Sequence, residues 1–284
     1  MPSRALQEIV EYRGVEGLVA AEVLNDDNDT GYVTGDVFAI AGVAEISKTT
    51  DSSNEAHYYD NIPAVVVSNT SSDEVTISAS AIPLDVLAEI TGQYYDQTTG
   101  SFIEGPRQLK YFAIGYKTKK TNGDEMYVWR YKGTFNIPDQ TNSTENNSTD
   151  ANGQEIVYTG ISTTHKFTKT GKGSKALVVD VAKGLADVSD FFDEVVTPDT
   201  LAGNTAYTLT ITQGEGTTVS VTSGGRAVAS GATIYAGQQL QISVAKNPTT
   251  ATGTASVTVN SDEWFSGDIH VVSGNVTVVS TLST

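Results

Sequence analysis

The sequence predicts a mainly β protein with one well-signalled helix and a smaller all-β module at its C-terminal end. Three observations carry that expectation. Thr, Ser, Gly, Asn and Val, the residues of strands and turns, recur along the chain. Short runs alternate apolar and polar residues with period two. Helical spacing bounded by proper start and stop residues is rare.

The elements follow in chain order. Residues 18–47 read as a strand, a turn at Asp26-Asp27-Asn28-Asp29-Thr30-Gly31, and a second strand ending at Ser47. Residues 75–80 (VTISAS) put Val75, Ile77 and Ala79 on one face and Thr76, Ser78 and Ser80 on the other. A helix follows: Pro83 stands near its first turn, Leu84, Leu87, Ala88 and Ile90 with Val86 form an apolar stripe, and Gly92 supplies the left-handed stop. Residues 109–136 read as a long hairpin. Phe112, Ile114 and Tyr116 share one face, and Asn122-Gly123 marks the turn. On the returning strand Tyr127, Trp129, Tyr131, Gly133 and Phe135 face one way, with Val128, Arg130, Lys132, Thr134 and Asn136 opposite. That aromatic face suits one wall of a core better than a platform for sugars or bases. A second helix is expected over 183–196, where Leu185, Val188, Phe191, Phe192, Val195 and Val196 recur at helical spacing, although Gly184 and several Asp residues weaken it.

Two segments read as polar loops, 47–61 and 139–154. Asn142, Asn146 and Asn147 in the second match the glycosylation pattern, which a run so rich in Asn, Ser and Thr produces by chance. Pro, Asp and Gly cluster over 197–204, placing a boundary there: residues 1–200 form one domain and 201–284 a surface-exposed β module, Ig-like or β-grasp-like. Beyond the boundary short alternating runs (YTLTIT, TTVSVT, LQISV, ASVTV) are separated by turns.

Composition excludes several function classes. The chain of 284 residues is 38% hydrophobic and contains no apolar run of membrane-spanning length, and its opening residues do not read as a secretory signal. The expectation is a protein made in the cytoplasm without membrane association. Cysteine is absent, which removes disulfides and thiolate metal sites. The formal charge is -17, unsuited to gripping nucleic acid. The charge is unevenly placed: residues 1–104 hold three basic and eighteen acidic side chains, residues 105–183 twelve and seven, and residues 184–284 two and nine. Such asymmetry suits either ordinary solvation or contact between the acidic and basic regions of identical subunits.

Motifs for chemistry fail in turn. Asp26 to Gly31 imitates the start of a calcium loop, but its twelfth position is Val37 and not a carboxylate. Gly171-Lys172-Gly173-Ser174 lacks the Walker spacing and precedes a strand, ALVVDV, where phosphate binding needs a helix. The three histidines, His57, His165 and His270, are scattered, and there is no G-x-S-x-G elbow. The expectation is no catalytic residue, no metal and no cofactor.

The order of elements resembles the major tail protein family of long, non-contractile bacteriophage tails. The likeness rests on the opening strand pair, the polar loop ending in His57-Tyr58-Tyr59-Asp60, the strand running into the Pro-led helix, and the hairpin with YVWRYKGTFNIP at 127–138. It spans about residues 12–196. The C-terminal module, through 230–244 and 258–280, resembles the small β repeats of bacterial and phage surface proteins.

The resemblance implies two packed antiparallel sheets, a tail-tube β-sandwich or barrel, with a flanking helix. It implies a virion protein: homohexameric rings stacked head to tail into a tube, assembled in the host cytoplasm. The implied partners are the tape measure, tail terminator and distal tail proteins, with DNA passing through the lumen without specific binding. The family's loop between early strands reaches the next ring, and here Asp51, Glu55, His57, Tyr58, Tyr59 and Asp60 occupy that position. A contractile tail uses a similar inner tube. A bacterial surface or pilus-like adhesin, with the C-terminal module binding glycan or protein, is the alternative.

Overall fold

The computed structural model describes residues 9–59, 62–139, 153–247 and 253–283, and for residues 53–59 and 63–70 the backbone alone. Asp60 and the three glycosylation-pattern asparagines lie outside the described residues. The chain forms two compact units, one of Met1–Val179 with Ser189–Leu201, the other of Asp180–Val188 with Ala202–Thr284.

The first unit contains strands β1 (Tyr12–Asp26), β2 (Tyr32–Thr34), β3 (Phe38–Ala39), β4 (Val43–Tyr59) and β5 (Ile62–Ala79), helix α1 (Leu84–Thr91), then β6 (Tyr94–Asp96), β7 (Ser101–Ile103), β8 (Phe112–Lys120), β9 (Glu125–Phe135), β10 (Gln154–Ile161) and β11 (Ala176–Asp180). Nine of these strands make one sheet, in the order β2-β1-β8-β9-β10-β5-β4, with β3 on β1 and β11 on β9. Strands β6 and β7 pair separately. Leu18 and Ala20 of β1 and Val43 and Ile46 of β4 pack on one core, although four strands separate β1 from β4. At about 4.8 Å per strand a flat sheet would hold them far apart, so the sheet curls around its contents.

The contents follow the alternation read from the sequence. Val75, Ile77 and Ala79 of β5 are buried, with Ile156 and Tyr158 of β10 and Phe112, Ile114 and Tyr116 of β8. Helix α1 adds Leu87 and Ile90, and Gly92 closes it in the left-handed region at φ 67. Leu84, assigned to the apolar stripe, is instead 48% exposed. It opens the helix at a position that points away from the sheet.

The hairpin of β8 and β9 forms as expected, turning at Asn122-Gly123. Gly123 donates its N–H to the Lys120 carbonyl, and Gly123 alone in the tip has positive φ, so this is a three-residue loop with a glycine bulge and not a two-residue type I′ turn. A second bulge breaks the expected alternation. Phe112 pairs with Gly133 and Ile114 with Arg130, which leaves two residues of β9 opposite one of β8. Phe135 is thereby turned into the main core beside Phe112 and Tyr158. Trp129 and Tyr131 stay on the opposite face, where Phe191, Phe192 and Phe167 cover them and the Trp129 indole N–H donates to the Phe191 carbonyl at 2.7 Å. The aromatic face is a core wall.

The expected second helix does not form. A single 3-10 turn, Val181–Lys183, ends at Gly184 with φ 63, and turns follow it. The apolar residues there serve separate contacts: Phe191 lies under Trp129, while Leu185 is 51% exposed.

The second unit is a sandwich of strands β12 (Ala206–Thr212), β13 (Thr217–Ser223), β14 (Arg226–Ala227), β15 (Thr233–Tyr235), β16 (Gln239–Lys246), β17 (Thr254–Val259), β18 (Asp262–Trp264), β19 (Ile269–Val271) and β20 (Val276–Ser283). Sheets β15-β12-β20-β17-β18 and β14-β13-β16-β19 enclose Leu209, Val221, Leu240, Ile242, Val257 and Val278. It has no α-helix among the described residues, which removes the β-grasp alternative.

Candidate functional site

The segment read as a polar loop is the end of a long β-ribbon. Strand β10 pairs with β5 from Ala79 as far as Asp73, opposite Gly160. Beyond that rung β5 pairs only with β4, through Ser52–Thr70, Glu55–Val67 and His57–Val65 to Tyr59–Ile62. Nine further residues at about 3.3 Å each carry this ribbon roughly 30 Å past the sheet. The polar sequence 51–59 is a strand because its partner is the β-branched run Val65-Val66-Val67, and backbone pairing needs no apolar side chain on both strands. Pro63 sits beside a register shift near the tip, the kind of irregular position where a strand tolerates proline.

Asp51, Glu55, His57, Tyr58 and Tyr59 therefore all stand on β4 of the ribbon, with Asp51 exposed. Both ribbon edges are open to a further strand among the described residues.

The cations of residues 105–183 are largely engaged within the subunit. Lys110 reaches Glu22 at 3.0 Å and Glu89 at 2.7 Å. Lys117 and Lys119 share Glu16, which draws that carboxyl below its ordinary value. Lys132 meets Asp26 at 2.6 Å. Lys166, Lys169 and Lys172 are different: they stand exposed around the turn closed by the Phe167–Lys172 bridge, with no ion pair among the described residues.

Two polar centres escaped the sequence reading. Asp26, read as part of a turn, belongs to a clasp. Its carboxylate accepts the N–H groups of Thr164 and His165, both at 2.8 Å, besides Lys132, and Asn28 accepts the N–H of Lys166 at 2.9 Å. Asp73 continues the buried row Val75-Ile77-Ala79 and is 4% exposed. Arg130 meets it at 3.1 Å, Lys175 at 3.0 Å and Lys48 at 3.9 Å. A carboxylate in phase with an apolar row was the available signal; its partners come from three distant segments and left none. Gly171 and Lys172 close the tight turn begun at Phe167, and Gly173 and Ser174 run on beside Thr163 towards β11.

No group of three or more His, Asp or Glu is arranged to hold a metal ion, and no helix is long and apolar enough to cross a membrane, among the described residues. Comparison with curated proteins returns no match. The family model of the phage tail tube protein matches residues 20–209, which include α1, the ribbon and all of the curled sheet but the first part of β1. The chain thus belongs to the phage tail tube protein family.

Proposed function

We propose that six copies of this protein form a ring, that rings stack head to tail into the tube of a long non-contractile tail, and that the genome passes through the bore into the host. The ribbon of β4 and β5 carries this reading. A two-stranded ribbon roughly 30 Å long is marginal alone in water, and its open edges suit a neighbouring subunit. Stacking identical rings is a heterologous, open-ended contact, which an arm projecting from one side of the subunit serves.

Charge sets the register. The acidic residues Asp51 and Glu55 of the ribbon meet the Lys166, Lys169 and Lys172 turn of the next ring, because the other described cations of that region are held inside their own subunit. Part of the negative charge of residues 1–104 lines the bore. DNA carries one charge per about 1.7 Å of axis, and an acidic wall repels it where a basic one would retain it. The protein has a structural role without catalysis. The tape measure protein occupies the bore before ejection, and tail terminator and distal tail proteins cap the tube ends. The second unit is displayed outward.

Electron microscopy of the purified protein tests the reading. Hollow tubes of stacked sixfold rings are expected. Shortening the ribbon by replacing residues 53–69 with a two-residue turn should abolish tubes while the subunit stays folded. Tubes of normal length from that variant would refute the role of the arm.

A further inference from the structure

The ribbon leaves the sheet at one rung, and a buried ion cluster sits on it. The pairing of β10 with β5 ends at Gly160–Asp73, and Thr50 opposes Asp73 from β4. Immediately beyond, Thr50–Asp73 gives way to Ser52–Thr70, so Ser71 and Ser72 of β5 face Asp51 alone. That is a bulge, and a bulge bends and twists a strand pair. A two-stranded ribbon departing from a bulge has no third strand to resist swinging.

The Asp73 carboxylate supplies the missing restraint. Its Oδ2 is 3.1 Å from the Arg130 guanidinium of β9, and its Oδ1 is 3.0 Å from the Lys175 ammonium. Lys48 of β4 stands 3.9 Å away. Lys175 also donates to the carbonyl of Ser71, inside the bulge. The same ammonium therefore grips both the last rung of the sheet and the first residues of the ribbon. Arg130 is itself held, through Nε, to the Tyr116 hydroxyl of β8 at 3.3 Å. The cluster joins β4, β5, β8, β9 and the segment before β11 at one point.

We propose that Asp73 and Lys175 are positioning residues that fix the direction in which the β4–β5 ribbon leaves the subunit. The use of that direction in ring stacking rests on the reading above, but the restraint belongs to the isolated subunit and is tested there.

The chain contains no cysteine, so two introduced cysteines label it specifically. Nitroxides at Glu55→Cys on the ribbon and Thr159→Cys on exposed β10 report the ribbon's direction by pulsed electron resonance on monomer. The parent protein should give one narrow distance distribution. Lys175→Met should broaden it at least twofold, Lys175→Arg should leave it narrow, and Asp73→Asn should broaden it like Lys175→Met. Lys175 is partly exposed, so its variants remain informative if Asp73→Asn fails to fold. Equal widths in the parent and Lys175→Met would overturn the proposal, as would broadening by Lys175→Arg as large as that by Lys175→Met. Failure of the parent protein to form tubes would refute the ring reading and leave this result untouched.

Discussion

Asp73 of β5 and Arg130 of β9 meet on the inner side of the curled sheet, carboxylate to guanidinium at 3.1 Å, with each side chain less than one-tenth exposed. Removing Asp73 leaves the buried Arg130 guanidinium with only the Tyr116 hydroxyl, whereas removing Arg130 leaves Asp73 with Lys175 and Lys48. Asp73→Leu should therefore lower unfolding stability by about 3–5 kcal/mol in urea titrations, and Arg130→Met by less. The double variant Asp73→Leu/Arg130→Met should recover part of the Asp73→Leu loss, since no buried guanidinium then lacks its carboxylate. A double variant as unstable as the sum of its singles would show that the two residues do not act as a pair.

Acid should unfold the first unit in a defined window. Burial pushes the Asp26 and Asp73 carboxyls up, but Lys132 with two backbone N–H groups, and Lys175 with Lys48, outweigh it and hold both below the ordinary value of 3.8. Asp27 is drawn to about 2 by the N–H and hydroxyl of Thr30. With folded values depressed, the unfolded chain takes up protons first. Stability should be complete above about pH 5 and decline as pH falls through 3.8 towards the folded values. Thermal melts followed by Trp129 fluorescence, with Trp264→Phe to silence the second unit, give the measurement; a melting temperature unchanged down to pH 3 would contradict it.

Gly133 is a packing requirement. A Cβ there would lie 2.3 Å from the Tyr158 ring and 2.5 Å from the Thr159 carbonyl. Gly133→Ala should cost about 1–3 kcal/mol or more, because backbone stands on one side and a fully buried ring on the other. Gly123→Ala, with open space around its Cβ position but φ 88, should cost less. Reversal of that order in urea titrations would count against the account.

Ring stacking should be salt-sensitive. Lys169→Glu combined with Lys172→Glu should shorten or abolish tubes, and Asp51→Lys with Glu55→Lys on the same chain should restore part of the assembly. The Debye length falls from about 10 Å at 0.1 M salt to about 3 Å at 1 M, so parent tubes should also be less stable at high salt. Sedimentation at both ionic strengths reads this directly.

Truncation after Leu201 removes most of the second unit and leaves the first unit's strands and its 189–201 segment intact. Rings should still form, because the ribbon and the lysine turn are retained. Loss of rings from a folded truncated chain would place the second unit in the assembly contact.

The strands of the core were legible because burial on one face imposes period two: Val75, Ile77 and Ala79 lie where the alternation put them. Helix α1 was legible through Pro83 and Gly92, whose backbone preferences are local. The ribbon was not, because residues 51–59 carry no burial pattern and become a strand only through pairing with Val65 to Val67. The segment 183–196 misled for the converse reason, its apolar spacing matching a helix while Phe191 and Val195 are buried from a run of turns and Leu185 stays exposed.

From sequence alone came the β class, the helix, the hairpin, the change of character near residue 200 and the family resemblance, all of which rest on local propensity, periodicity and element order. Tertiary structure decided what turns on pairing between distant segments: that a polar stretch projects as a ribbon, that a bulge sends Phe135 and Trp129 to opposite faces, and that Asp73 gathers Lys48, Arg130 and Lys175 at the ribbon's root. Strand register and buried charge are settled by partners far apart in the chain, and no local pattern of residues encodes where those partners arrive.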